Sequence, residues 1–253
     1  MRLVLSAVVL LSALSCTHPP AVQSDWAPTS PPSGAPEPVP AVATDPATVA
    51  QMHALLDTTE TLRDLASRGR SEAVRKAAAE FVASLRPDTA TPGPWQDPLA
   101  NIRTQAETLA THESDAQAAA ALARIAQTCG DCHVSADVQA RVAAKLEQGA
   151  APPMGTTEPE AMRVHDWSSQ RMWDSLVIPD KDRWVEGTTM FVLLPSCVDL
   201  DPADVEHTLR CDRARAVARR AHIVSDLDGR TSVMGDLLGT CASCHRAASS
   251  PAG

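Results

Sequence analysis

Two copies of the pattern Cys-x-x-Cys-His constrain this chain more than any other feature. The first is Cys129-Gly-Asp-Cys132-His133, and the second is Cys241-Ala-Ser-Cys244-His245, which ends eight residues before the last residue of the sequence. Each copy follows a run of helical character, AQAAAALARIAQT and TSVMGDLLGT. Positions i, i+3 and i+4 share one face of a helix, so the two thiols and the imidazole of each copy are predicted to point together.

This pattern is typical of covalent haem attachment, in which two thiols take the vinyl groups and the adjacent histidine binds the iron. A zinc site or a redox pair could produce one copy, and two disulfides with incidental histidines are the purely structural interpretation. Two copies in one exported chain favour two covalently bound haem c groups. The predicted haem-binding residues are Cys129, Cys132, His133, Cys241, Cys244 and His245, with the two histidines as iron ligands.

The N-terminal sequence predicts export. Arg2 precedes an apolar run from Leu3 to Leu14, which is too short to span a bilayer permanently and is typical of a secretory signal. Ala13-Leu14-Ser15-Cys16 resembles a bacterial lipobox, although Leu usually lies three residues before the Cys with a small residue between. The resemblance implies that Cys16 is lipidated, and an ordinary cleaved signal peptide is the alternative.

The first 45 residues are therefore predicted to form a signal peptide (1–15) and a tether (16–45). Proline is too dense in the tether for a packed core, and such segments are extended and semi-rigid. We expect a periplasmic protein that contacts a bacterial membrane only through its lipid anchor.

Seven cysteines divide into Cys16, the four motif cysteines, and a remaining pair. Because exported chains enter an oxidising compartment, Cys197 and Cys211 are predicted to form a disulfide. A loop of that length would contribute about 3 kcal/mol in the chain-entropy account.

Composition limits the fold and the partners. Tyr is absent, Phe occurs twice, and the apolar residues are mostly those that favour helices over sheets. The net charge of -9 argues against nucleic-acid binding and favours basic redox partner proteins. The sequence contains no catalytic triad, phosphate loop or separate metal-ligand cluster, so we do not expect an enzyme.

A weak internal repeat divides the rest of the chain. The segment that begins at Met52 aligns with the segment that begins at Met162, and each continues to one motif. The predicted domains are 46–150 and 151–253. Proline and capping residues predict four helices in each, at 46–68, 71–85, 99–111 and 114–132, then at 159–177, 180–194, 202–224 and 230–245.

The motif at the end of the last helix resembles the class II cytochromes c, the cytochrome c-prime-like four-helix bundles. Class I cytochromes c carry the motif near the start of the domain, whereas nothing after His245 could reach back around a haem. The resemblance implies an all-α fold of two tandem four-helix-bundle cytochrome domains, each with its haem motif at the end of the last helix.

The start of helix one lies beside the end of helix four in an antiparallel bundle. Six-coordinate members of this family place a Met ligand there, so Met52 and Met162 are the predicted sixth iron ligands. His53 and His165 are nearby alternatives, and ordinary core packing would also account for either Met.

We expect a dihaem c-type cytochrome that carries electrons between a membrane complex and a periplasmic partner. Met/His ligation would raise the reduction potential. The alternative is a gas-binding or sensing cytochrome c-prime-like protein, with five-coordinate iron that takes up NO or CO. A dihaem peroxidase fits less well because those enzymes are longer and resemble class I domains.

Overall fold

The computed structural model describes residues 46–85, 93–146, 149–154, 157–193 and 205–249. The regular structure of these residues is entirely helical, which confirms the all-α prediction. None of these helices is long and apolar enough to cross a membrane. The helices are α1 Pro46–Ser67, α2 Ser71–Ser84, α3 Gly93–Thr111, α4 Asp115–Ser135, α5 Gln139–Lys145, α6 Glu158–Val177, α7 Lys181–Leu193, α8 Val205–Ile223 and α9 Leu227–Ser249.

Local signals account for several of these boundaries. Ser114 caps α4, and its hydroxyl accepts a hydrogen bond from the backbone N–H of Gln117 at 3.2 Å. Thr157 and Glu160 form a capping box at the start of α6. The helix α3 begins at Gly93, six residues before its predicted start, and Pro98 therefore lies inside the helix. Pro98 lies early in the helix, where the missing N–H removes few hydrogen bonds.

The two motif helices, α4 and α9, pack against each other more extensively than any other described pair. They are antiparallel, since the end of α4 meets the start of α9, where Gln127 donates to Asp228 at 2.6 Å. Small residues permit the close approach, and a Cβ added to Gly235 would lie 3.2 Å from the Cα of Ala120.

The described helices form two closed sets of neighbours that share one core. In the first half α1 packs on α2, α2 on α3, α3 on α4 and α4 on α1, and α6 to α9 repeat this order in the second half. The first helix of each half also packs across the boundary, α1 on α9 and α6 on α4. Residues Val39–Gly253 accordingly form one compact unit, and the division at residue 150 stays a prediction.

Candidate haem-binding sites

The first motif occupies the last turns of α4, as the sequence predicts. Cys129 and Cys132 are free thiols, both half-buried, and one helical turn separates them. Burial raises the pKa of Cys129 to about 12, and it also raises the pKa of Cys132. Both sulfurs are therefore unpaired thiols beside the imidazole of His133.

His133 is fixed by a hydrogen bond that sequence analysis did not foresee. Its Nδ1–H donates to the carbonyl oxygen of Val177, the last residue of α6, at 2.8 Å. This bond selects the tautomer whose Nε2 has a free lone pair, and such a bond typically orients a metal-binding histidine. Burial lowers the pKa of His133, which favours the neutral imidazole that a metal requires.

The α6–α7 corner closes directly over the first motif. Gly130 lies between the two thiols, and a Cβ on it would overlap the carbonyl oxygen of Leu176. The same Cβ would lie 3.0 Å from Cγ of Pro179. Glycine is therefore required here by the close approach of the second half of the chain to the motif of the first.

The second motif lies in the last turns of α9, and it packs against residues of the first half of the chain. Cys241 and Cys244 are free thiols, and burial raises the pKa of Cys241 to about 12. The turn after α1 packs on this motif at Gly69, whose φ is 66°, and a Cβ there would lie 2.7 Å from the carbonyl oxygen of Ala242. Arg246 forms an ion pair with Asp115 at the start of α4.

Charged residues surround the second motif. Arg63 of α1 is half-buried and lies over the ring of Trp173 at 5.8 Å, and its charge acts on the Cys241 thiol to lower the pKa of that thiol. Arg210 and Arg213 of α8 act on Cys244 in the same direction, although burial outweighs them. Helices α1, α8 and α9 therefore all contribute groups to this end of the molecule.

The predicted sixth ligands lie on the helices that the class II resemblance implies. Met52 and His53 are both half-buried in the second turn of α1. Met162 is in the second turn of α6 with 37% of its surface exposed. His165, one turn further along, is half-buried, and its Nε2 atom is buried. Their roles as iron ligands stay predictions.

Met52 lies at the height of the first motif. Ser71, the first residue of α2, donates to Asp115 at 2.8 Å, so the turn that follows α1 lies at the start of α4. Gln170 donates to Glu60 at 3.3 Å, which joins the middle of α6 to the second half of α1. The distance along α1 from Ser67 back to Met52 is about 23 Å, and the distance along α4 from Asp115 to His133 is about 27 Å, so the two residues lie within about one helical turn of each other along the bundle.

The two motifs are at opposite ends of the α4–α9 pair. The register set by Gly235 with Ala120, and by Gln127 with Asp228, separates the motif centres by roughly 28 Å along the shared axis. Each motif therefore lies nearer to the first helix of the other half than to the other motif.

Only one of the remaining predicted cysteines lies in the described part of the chain. Cys211 is disulfide-bonded and buried in α8. Cys197 and Cys16 lie outside the described residues, as do the signal peptide and the tether, so the Cys197–Cys211 pairing and the lipidation stay predictions.

The residues present fit a covalently attached haem at both ends. Two unpaired thiols and a histidine share a helical face in each motif, and the lone pair of His133 is directed by the Val177 carbonyl. At the second motif, the Nε2 atom of His165 is buried without a hydrogen-bond partner among the described residues. No protein family, curated protein or solved structure was found to match the chain.

Proposed function

We propose that this protein is a dihaem c-type cytochrome that carries electrons between a membrane complex and a periplasmic partner. The observation that supports it most is the pair of helical motifs, each with two unpaired thiols beside a histidine. Cys129, Cys132 and His133 would hold the first haem, and the corresponding residues of α9 would hold the second. Each haem, when bound, supplies an iron that gains and loses one electron.

The packing of the helices supports a class II arrangement. Each half forms a closed ring of four neighbouring helices with its motif at the end of the last one, which is the topology that the resemblance implies. We therefore propose two cytochrome c-prime-like bundles, 46–150 and 151–253, joined through α4 and α9. The extensive contact between these helices would make the pair one folding unit.

The residues of each site suit a carrier whose structure changes little between oxidation states. The Val177 carbonyl holds His133 in one orientation, and the α6–α7 corner covers the motif through Leu176 and Pro179. Two sites at opposite ends let one partner approach each end. The net charge of -9 favours basic partners, and the proposed lipid on Cys16 would keep the protein near a membrane.

Met52 is the proposed sixth ligand of the first haem, and its replacement tests the carrier function. Met52→Ala is expected to convert one of the two haems from low to high spin, because the thioether is lost and no replacement ligand is introduced. The reduced variant should bind one more equivalent of CO than the wild type. Absorption spectra of the oxidised protein and CO titration of the reduced protein measure both effects.

Met154→Ala is the matched control, since this Met is about half exposed and lies in the segment between α5 and α6. It should leave spin state and CO binding unchanged. A wild-type protein that already binds CO at both haems would contradict the carrier function and would favour the gas-binding alternative. If His53→Ala changes the spectrum and Met52→Ala does not, the ligand is His53.

A further inference from the structure

Two histidines have a buried Nε2 atom without a hydrogen-bond partner in the described part of the chain, His112 just after α3 and His165 on α6, and only the second belongs to a helix that packs against α9. His165 lies in α6, where its ring stacks on Phe191 of α7 with centroids 4.7 Å apart and planes 15° apart. Its Nε2 atom is buried and has no hydrogen-bond partner among the described residues. Leaving a buried polar atom unpaired is unfavourable, so this nitrogen is expected to have a partner in the functional protein.

The contacts of His165 point to the second motif. The end of α6 meets the first motif through the Val177 carbonyl, and the two motifs lie at opposite ends of the antiparallel α4–α9 pair. Because α6 packs against α9, its first half, which contains His165, lies towards the second motif. The neighbouring Asp166 acts on the Cys241 thiol from the same turn of α6. This part of α6 therefore faces the second motif, with His165 on α6 and His245 on α9.

Met162, the ligand predicted from the repeat, is less well situated. It is one turn nearer the start of α6 and has 37% of its surface exposed, whereas the Nε2 atom of His165 is fully buried. A neutral imidazole with an unused nitrogen is also the commonest protein ligand for a transition metal.

The first half lacks an equivalent histidine. The alignment of Met52 with Met162 brings Leu55 to the position of His165, and Leu55 packs against the hydrophobic core. The two sites therefore differ at this position of their first helices, with leucine in the first half and histidine in the second.

We propose that His165 is the sixth ligand of the second haem, so that the two haems are chemically different. This inference rests on the proposed dihaem function. The second iron would be bound by His165 and His245, and the first by His133 and Met52. Because an axial Met raises the reduction potential relative to ligation without it, the second haem would have the lower potential. Electrons would then pass preferentially from the second site towards the first.

The test uses the full-length protein matured with covalent haem, and intact mass first establishes how many haems are attached. His165→Leu removes the imidazole and fills the space with an apolar side chain. It is expected to convert one haem from low to high spin, and the reduced protein should bind one additional equivalent of CO. Met162→Leu removes the competing candidate ligand and is expected to change neither measurement, and Met154→Leu, in the segment before α6, is the matched control.

A second variant tests the same ligand without creating a vacant coordination position on the iron. His165→Met should retain low-spin iron and raise the lower of the two midpoint potentials in a spectroelectrochemical titration. It should also add a near-infrared charge-transfer band typical of Met–iron ligation.

Two results would overturn the inference while leaving the dihaem function intact: two attached haems with a spectrum unchanged in His165→Leu and His165→Met, or a spectral change in Met162→Leu alone. A wild-type protein with no haem on the second motif would overturn the proposed function as well.

Discussion

Changing Cys241 and Cys244 together to alanine is expected to remove the second haem completely and to leave the first attached. Covalent attachment uses both thiols of a motif. The motifs lie roughly 28 Å apart along the α4–α9 pair, so neither pair of thiols can serve the other site. The reciprocal change of Cys129 and Cys132 should remove the first haem alone. Intact mass spectrometry of each purified variant counts the haems directly.

Ser243→Ala is the matched control for these variants, because Ser243 lies between the two thiols of the second motif and supplies neither of them. It should retain both haems. The shared core makes a check of folding necessary, and far-ultraviolet circular dichroism provides it. Loss of both haems in a variant with wild-type helix content would contradict two independent attachment sites.

Gly130→Ala is expected to destabilise the fold strongly, although it adds only a methyl group. The new Cβ would overlap the Leu176 carbonyl oxygen and press on Pro179, so the end of α6 must move away from α4. Overpacking of this kind costs about 3 kcal/mol. In a chain of this size the melting temperature should fall by roughly 6–12 °C. Thermal and urea unfolding of protein with equal haem content measure the effect.

Gly149→Ala is the control, because a Cβ at Gly149 meets nothing within 4 Å. Its unfolding free energy should remain within about 0.5 kcal/mol of the wild type. Movement of α6 also breaks the bond from His133 to the Val177 carbonyl, so Gly130→Ala should broaden or shift the spectrum of the first haem. Equal stability of the two variants would show that the α6–α7 corner does not press on the motif.

Helix positions and motif geometry could be predicted because they depend on local sequence. Proline and capping residues mark most boundaries, and the i, i+3, i+4 spacing brings the motif residues to one face wherever the segment is helical. The sequence predicts the start of α3 six residues too late, because prolines and a glycine before residue 99 are typical of a loop. The structure includes Pro98 in the early part of the helix.

The contacts between the halves were not predicted, because they depend on how the two sets of helices meet. The Val177 carbonyl at His133 and the Gly69 turn at Ala242 both come from the opposite half of the chain. One sequence signal was available: small residues recur at helical spacing in both motif helices, and such residues permit close packing. Ala120 of α4 and Gly235 of α9 are two such residues, and they lie close together where the helices pack.

The internal repeat alone also could not decide between Met162 and His165 as the proposed ligand of the second haem. The repeat aligns Met162 with Met52, and alignment reports which residues correspond. It does not report which side chain is buried. The structure separates the two by exposure and by the unpaired Nε2 atom of His165.

Counting the haems on the mature wild-type protein tests the central claim most directly. The protein should be produced with the machinery that attaches c-type haem, and its intact mass compared with that of the unmodified chain. We expect two haem additions that survive denaturation, since both would be held by thioether bonds. A mature, exported chain with one addition or none would contradict the account.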